Sequence, residues 1–285
     1  MSAGGRERAV VETIVLGFDG SEASVIALDW VAERAARRRT AVEIVMIGGS
    51  LLDDGRDSAL IEAERRLLDR APEAEVVSHR FPGRMPAALI ERASNADLLV
   101  IGARRGRPIW TALSGWMPLR LTSGSRAPVV VVPDDWEPAT GRVVVGVDDD
   151  RSSVEAVSFA AREADGAHVP LTLVHTWSMP TPRMEGAVVL LASPIEARAG
   201  ERRVLRDAAV AAQLTNPDLV VEQILEQTNP ASALLRAAHG ASLVVVGTHH
   251  RGVIDGALLG SVGRDLLEES RTPVCVVPSA LRPVR

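Results

Sequence analysis

Small residues that favour anion binding follow an apolar run near the C-terminus of the chain. Gly247 ends the run at 243–246, and Gly260 and Ser261 open a helical pattern at 262–270. Backbone N–H groups of a glycine turn, a serine hydroxyl and a helix N-terminus together attract a phosphate or another anion. The spacing therefore predicts an anion site between this run and the following helix.

Aspartates end two other apolar runs, Asp19 in the first part of the chain and Asp148 in the second. In open α/β sheets, ligands bind beyond the carboxyl ends of the strands, so either carboxylate could accept a hydrogen bond from a ribose hydroxyl. The alternative is helix capping, with Ser21 and Asp150 as N-caps of the next helices.

Two stretches, 97–133 and 242–278, align without a gap and share glycines, Gly102 with Gly247 and Gly115 with Gly260. They differ where a phosphate would bind. The first stretch has Trp116 in the place of Ser261, and Pro118 lacks a backbone donor in the opening turn of the helix. The repeat therefore predicts a shared fold, with the anion site kept in the second copy and lost in the first.

Apolar, β-branched runs without polar alternation recur along the chain and indicate parallel strands buried on both faces. Helical spacing of small apolar residues separates them, which gives the pattern βαβαβαβαβ twice. We therefore predict two doubly wound α/β domains of five parallel strands each. The runs lie at 13–18, 42–47, 75–78, 98–101 and 129–132, then at 143–147, 171–175, 220–225, 243–246 and 274–277.

A polar, proline-bearing stretch at 133–141 marks the boundary, which predicts domains at 1–138 and 139–285. The second half carries an extra segment, placed at 178–200. Its prolines and methionines suggest a loop or lid, and an ordinary surface insertion is the alternative.

Composition excludes several function classes. The chain contains no lysine, so it has neither a Walker A lysine nor an amine for Schiff-base chemistry. A net charge of −5, the absence of tyrosine and only three phenylalanines argue against a nucleic-acid surface. The single Cys275 excludes an internal disulfide and is expected to be a small buried hydrophobe. No run approaches the roughly 20 apolar residues of a membrane span, and we expect a cytoplasmic protein.

A metal site is a weaker interpretation of the polar residues near these strand ends. The spacing fits no common motif such as HExxH, and adjacent histidines on an extended segment point in opposite directions. A metal-dependent hydrolase is thus disfavoured. The residues considered are Asp148, Asp149, His175, His249 and His250. Two arginine-rich segments, 104–107 and 34–39, are expected to be a solvated loop and the exposed end of the first helix.

The chain resembles the universal stress protein family in its tandem form, with two such domains in one polypeptide. The resemblance covers nearly the whole chain. It is carried by VLGFDGS and VVVGVDD, ADLLVIG and ASLVVVG, LLGSV, and APVVVVP and TPVCVVP. It implies a Rossmann-like fold of the adenine nucleotide alpha hydrolase type. Nucleotide-binding members resemble one another in a pattern of Gly, two residues, Gly, nine residues, then Gly and Ser or Thr, which clamps ATP phosphates.

Carried onto this sequence, the resemblance implies ATP in the second half, with Mg²⁺ possible beside it. The first-strand aspartate would meet the ribose, and Val174 or its neighbour the adenine. His250 stands where the family has its middle glycine, where a Cβ crowds a phosphate. The implied contacts are Asp148, Val174, Gly247, His250, Gly260, Ser261 and Val262, with a weaker set in the first half at Asp19, Gly102 and Gly115. Arg105 replaces the middle glycine of that first set.

The resemblance also implies how the chain acts. The fifth strands, 129–132 and 274–277, would pair the two halves, and a homodimer is a further expectation. The protein would respond to stress through conformation or an unidentified protein partner, with no catalytic residue and at most slow ATP hydrolysis. The competing interpretation is an interaction or scaffold protein of the same fold whose sites are empty.

Overall fold

The computed structural model describes most of the chain. The described residues are 11–48, 54–104, 117–149, 152–178, 183–185, 188–190, 193–248 and 260–279. Several predicted site residues fall outside them, namely Gly115, Arg105, Trp116, Asp150, His249 and His250.

The first half alternates strands and helices in the predicted way. Its elements are β1 (Glu12–Gly17), α1 (Glu22–Ala35), β2 (Thr40–Ile47), α2 (Asp54–Arg70), β3 (Glu75–Phe81), α3 (Ala87–Arg92), β4 (Leu98–Ala103), α4 (Met117–Gly124) and β5 (Val129–Pro133). A short 3-10 turn, Ala93–Asn95, follows α3.

The second half repeats this order with an added hairpin. Its elements are β6 (Val143–Gly146), α5 (Ser152–Ala167), β7 (Leu171–Thr176), β8 (Arg183–Glu185), β9 (Val188–Leu190), α6 (Pro194–Thr215), β10 (Val221–Glu226), α7 (Pro230–Ala237), β11 (Leu243–Gly247), α8 (Ser261–Glu269) and β12 (Val274–Val277).

The prediction of a loop at 178–200 is wrong for part of that segment. Strands β8 and β9 pair as an antiparallel hairpin, and α6 begins at Pro194 inside the segment. A proline at the first helical position is preorganised for a helix, because its missing N–H would have no partner there anyway. Ser193 precedes it in extended conformation at the N-cap position.

All the main strands join one ten-stranded sheet in the order β10-β7-β6-β11-β12-β5-β4-β1-β2-β3. In this ten-stranded sheet every pairing inside one half is parallel, as for β1 with β4 and β6 with β11. Strands β5 and β12 pair antiparallel and connect the halves. The predicted α/β class and the predicted pairing through the fifth strands are both confirmed.

Helices cover both faces of this sheet. One face packs against α1, α2, α5 and α6, and the other against α3, α4, α7 and α8. Each core runs through both halves, which explains why the strands carry apolar residues without polar alternation. None of the described helices is long and apolar enough to cross a membrane.

Two sequence expectations about single residues have opposite outcomes. Cys275 is fully buried in β12, as expected, and burial raises the pKa of its thiol well above the usual range.

Arg34 does not belong to an exposed helix end. Its side chain is 9% exposed and pairs with Glu12 and Glu163. The expectation was wrong here because Arg34 lies on the face of α1 that meets the second half.

Candidate functional site

The crevices where ligands would bind lie at the carboxyl ends of neighbouring strands. In the second half, β6 continues into α5 on one face of the sheet, whereas its neighbour β11 leads to α8 on the other face. Strands β1 and β4 stand in the same relation in the first half. Such switch points leave an open crevice between two diverging connections. We call them the second crevice (β6 and β11) and the first crevice (β1 and β4).

The aspartates of the two crevices differ in their hydrogen bonds. Asp19 is exposed, and the Ser21 backbone N–H donates to its Oδ1 at 2.9 Å. Burial alone would raise the pKa of Asp19, but the hydrogen bonds from Ser21 outweigh it and hold that pKa below the usual range. Ser21 is the N-cap of α1 and accepts from the Ser24 N–H. The capping alternative is therefore confirmed for Ser21.

Asp148 is half-buried at the mouth of the second crevice. Its Oδ1 accepts from the Asp149 N–H at 2.8 Å, and its own N–H donates to the Ser153 hydroxyl at 2.7 Å. The carboxylate is thus held by the next backbone amide, while its neighbour Asp149 is exposed. This geometry keeps an acceptor at the carboxyl end of β6.

Helix α8 starts at the carboxyl edge of the sheet in the second half. Gly260 is the N-cap residue, and the described residues supply no side-chain cap there. Both Gly260 and Ser261 are exposed, and Val262 is half-buried behind them. The first N–H groups of a helix have no partner within it and carry the positive end of the helix dipole. The start of α8 therefore offers an anion both backbone donors and a hydroxyl.

The shared glycine at the end of β4 has a packing role. A Cβ on Gly102 would lie 2.0 Å from the carbonyl oxygen of Ala23, at the N-terminus of α1. Glycine is thus required for the close approach of that helix to the strand, whatever binds nearby. Gly247 ends β11 at the corresponding position, and the next residue, Thr248, bonds to the backbone of β12 and of Ser279.

Val174 and His175 end β7 beside the second crevice. The Val174 side chain is 2% exposed in the sheet core, and its carbonyl accepts from the Val147 N–H. His175 is also buried. Its Nδ1 donates to the carbonyl of Val147 at 2.7 Å, and its Nε2 lies 2.7 Å from Oε2 of Glu201 on α6. Both ring nitrogens are engaged, which leaves neither available as a metal ligand.

Glu201 was not identified from the sequence, because nothing in the spacing connects it to His175. No group of three metal-ligating side chains occurs among the residues that the structure describes. A cavity of about 410 Å³ lies elsewhere, between the halves, and is lined in part by Trp30, Arg38 and Trp136. It contains none of the predicted nucleotide contacts.

Comparison with known proteins identifies the family. The family model described as "Universal stress protein family" matches the chain twice, at 11–133 and 140–278. The chain belongs to the universal stress protein family. The universal stress protein Rv2623 of Mycobacterium tuberculosis is similar to it, with 30% identity over 94% of this chain and 97% of the relative.

Solved structures give the same fold. A universal stress protein from Archaeoglobus fulgidus DSM 4304 superimposes with a TM-score of 0.67 at 18% identity, covering 94% of this chain and 98% of that one. A second universal stress protein from Archaeoglobus fulgidus, solved in complex with dAMP, matches 48% of this chain and 96% of its own, with a TM-score of 0.36 and 22% identity. The two matches of the family model show that the chain carries two universal stress protein domains in tandem.

Proposed function

We propose that this universal stress protein binds an adenine nucleotide in the second crevice and acts in the stress response through conformation or a protein partner. The observation that carries the proposal is the exposed start of α8 at Gly260 and Ser261, where no described side chain caps the helix. Helix α8 leads into β12, which runs parallel to β11 and β6, so its start lies at the same edge of the sheet as Asp148.

Each part of a nucleotide has a partner of suitable chemistry in the second crevice. The phosphates would bind the backbone N–H groups of Ser261 and Val262 and the Ser261 hydroxyl, where the helix dipole favours negative charge. The ribose would donate to Asp148. The adenine would lie against the end of β7, near the backbone of Val174 and His175, since both side chains are buried. These are the contacts that a nucleoside triphosphate needs, and we assign ATP, with Mg²⁺ accompanying its phosphates.

The first crevice lacks this complete set of nucleotide contacts. Asp19 remains and accepts one backbone N–H, as Asp148 does, while Gly102 is explained by its contact with Ala23. The sequence places Trp116 where Ser261 stands in the second copy. Gly115 lies outside the described residues, and its weaker phosphate contact stays a prediction from the sequence. His250 also lies outside them, and its contact with phosphate remains part of the proposal. We assign the nucleotide to the second half only.

No catalytic residue is assigned. A general base is not evident beside the start of α8 in the described residues, so any ATP hydrolysis would be slow. The output of nucleotide binding would be a change in conformation or in the affinity for a partner, including a second copy of the chain. We place this activity in the cytoplasm.

The competing function is a scaffold of the same fold that binds no nucleotide. It is favoured by His250, which stands where nucleotide-binding members have a glycine, and a Cβ there crowds an approaching phosphate. A metal-dependent hydrolase is not supported, because both ring nitrogens of His175 are already engaged.

One experiment separates the two functions. The purified protein is denatured, extracted and analysed by mass spectrometry for released nucleotide, and ATP binding is then titrated to millimolar concentration. We expect an adenine nucleotide in the wild type and its loss in the double variant Gly260→Ala/Ser261→Ala. The matched control is Ser158→Ala, which removes a hydroxyl from the exposed hydrogen bond with Arg162 on α5.

Two results would contradict the proposal. If neither extraction nor titration detects a nucleotide, the scaffold function stands instead. If the double variant keeps the occupancy of the wild type, the nucleotide binds elsewhere in the molecule.

A further inference from the structure

Arg34 and Glu163 occupy the same position in the two copies of the repeat, yet they carry opposite charges. Each lies 15 residues after the aspartate of its own half (34 − 19 and 163 − 148). Each also lies in the last turns of the first helix of its half, α1 or α5. The two side chains bind each other across the contact between the halves.

The strand pairing explains why counterparts meet. In the antiparallel pair of β5 and β12, Cys275 is opposite Val130, and these two residues are counterparts in the gapless alignment of the repeat. Val274 is opposite Val131, and Val276 is opposite Val129. In the alignment Val129 is the counterpart of Val274 and Val131 that of Val276, so the second pair repeats the first with the two copies exchanged. A local two-fold axis therefore passes through this strand pair. Residues close to such an axis contact their own counterparts in the other copy.

The contact is buried and doubly hydrogen-bonded. Arg34 Nη1 donates to Glu163 Oε2 at 2.5 Å, and Arg34 Nη2 donates to Glu163 Oε1 at 2.7 Å. Both side chains are 9% exposed. Arg34 also donates through Nε and Nη2 to the carboxylate of Glu12, and Arg38 Nη1 reaches Glu163 Oε1 at 3.2 Å. Two arginines and two glutamates thus balance their charges in the joint, which we define as β5, β12 and these four side chains.

Electrostatics holds Arg34 and Glu163 ionised. Burial alone would raise the pKa of Glu163, but the positive charges of Arg34 and Arg38 outweigh it and keep that pKa below its usual range. Burial likewise works against the charge on Arg34, and the carboxylates of Glu163 and Glu12 raise its pKa instead. A charged group buried here without its partner would destabilise the joint strongly.

Each half would pair poorly with a copy of itself. The second half has Gly141 and Ala167 at the positions of Glu12 and Arg38, so two copies would bring two Glu163 carboxylates together without an arginine from any of these positions. Two copies of the first half would oppose one Arg34 to another, with Arg38 alongside. Like charges at this distance repel strongly when they are shielded from water.

The shapes are complementary as well as the charges. A Cβ on Gly166 of α5 would lie 2.3 Å from Nη2 of Arg38, so the arginine packs directly over the glycine backbone. The counterpart of Gly166 in the first half is Arg37. Self-pairing of the first half would therefore bring a long side chain into the space that Arg38 occupies.

We propose that the joint is a heterotypic recognition surface, in which the first half selects the second half and rejects a copy of itself. The partner that this surface fits is a domain with a carboxylate at the position of Glu163 and a glycine at the position of Gly166. Pairing of the two halves within one chain fills this recognition surface. The two halves can then diverge at other positions, and each still pairs with the other half rather than with a copy of itself. The proposal is independent of nucleotide binding.

The test uses two full-length charge reversals, R34E and E163R. Each single variant puts like charges into its own joint. In a mixture, two chains can form a swapped heterodimer, in which the first half of each variant pairs with the second half of the other. Each of the two joints of this heterodimer then has one positive and one negative group at positions 34 and 163. The two proteins, one isotopically labelled, are unfolded in urea, refolded together at equal concentration, and analysed by native mass spectrometry and light scattering.

We expect the heterodimer to exceed either homodimer by about tenfold in the mixture of reversals. Labelled and unlabelled wild type, refolded together, give the baseline. A mixture of wild type with R65E is the matched control, because Arg65 pairs with Glu62 and Asp69 on the exposed face of α2. The proposal is overturned if the reversals refold as the wild type does and form no more heterodimer than the controls.

A milder pair keeps the proposal testable if the reversals do not refold. R34Q and E163Q are compared with their double variant by urea unfolding. Each single variant should raise the unfolding equilibrium constant at least about tenfold, and the double variant should raise it clearly less than the product of the two single effects. If the changes in the unfolding equilibrium constant caused by R34Q and E163Q simply multiply in the double variant, the two residues act independently, which would contradict recognition through this pair.

Discussion

The two copies of the repeat have diverged in different ways at the joint and at the crevices. At the joint, Arg34 and Glu163 meet, and each change is matched by the other. At the crevices the copies lie apart, and each has its own neighbours. Met46 ends β2 as a buried apolar residue, whereas His175, at the corresponding place in β7, binds Val147 and Glu201.

This comparison shows how duplication constrains a chain. Residues near the two-fold axis can only change in complementary pairs, because each forms the environment of its counterpart. Residues at the distant crevices change independently, so one crevice can lose a ligand while the other keeps it. Divergence at the joint fixes the partner, and divergence at the crevices separates the functions of the two halves.

The largest effect is expected from Glu163→Gln. The variant leaves the buried guanidinium of Arg34 with Glu12 alone, which should lower the free energy of unfolding by about 3 kcal/mol. Urea unfolding followed by circular dichroism measures it. Glu62→Gln, in an exposed pair with Arg65, serves as the control and should produce no measurable change. Equal behaviour of the two variants would contradict a structural role for the joint.

The second effect separates a packing glycine from a ligand glycine. Gly102→Ala drives a Cβ toward the backbone of Ala23 and should lower the free energy of unfolding by about 2 kcal/mol. No described residue lies within 4 Å of a Cβ on Gly260, so Gly260→Ala should change stability by less than about 1 kcal/mol, the scale of an N-cap substitution. Thermal unfolding of both variants decides the point. The distinction fails if Gly260→Ala is the more destabilising change.

A third prediction concerns His175→Met, which installs the residue of the first half in the second. Loss of the contacts with Val147 and Glu201 should lower the free energy of unfolding by about 1.5 kcal/mol. Met46→Leu is the volume-conserving control in the first half, with an expected loss below about 1 kcal/mol. Urea unfolding measures both, and a neutral His175→Met would show that the imidazole contacts contribute nothing to stability.

The smallest effect is a pH dependence of the joint. Because the folded-state pKa of Glu163 is lowered, its pairing stabilises the protein fully above the pKa of the unfolded glutamate and is lost as pH falls through the folded value. The wild type should therefore lose stability more steeply than Glu163→Gln below about pH 4.5. Unfolding curves at a series of acidic pH values test this. Parallel pH profiles for the two proteins would contradict it.

Much of the fold follows from the sequence, and the reason is local. Unbroken apolar runs such as 129–132 indicate strands buried on both faces of a sheet, and the repeat carries the assignment from one half to the other. The start of α8 at Gly260 and Ser261 was also predictable, since a glycine and a serine before a helical pattern mark its first turn.

Contacts between distant segments were not predictable in this way. Arg34 resembles the exposed arginines that follow it, and only the assembled sheet brings Glu163 to it. Glu201 gives no signal for its bond to His175 either, because the contact depends on how α6 crosses β7. The prolines of the segment 178–200 suggest a loop, yet one of them, Pro194, opens helix α6, because a proline fits the first turn of a helix as well as a loop.

Calorimetric titration of ATP into the wild type, Asp148→Ala and Asp19→Ala tests the central claim most directly. The two variants remove the same carboxylate from the two copies of the repeat. We predict one ATP per chain, binding to Asp148→Ala weakened at least about tenfold, consistent with the loss of a hydrogen bond to a charged group, and binding to Asp19→Ala unchanged. Two equivalent sites, or a loss confined to Asp19→Ala, would contradict the assignment of the nucleotide to the second half.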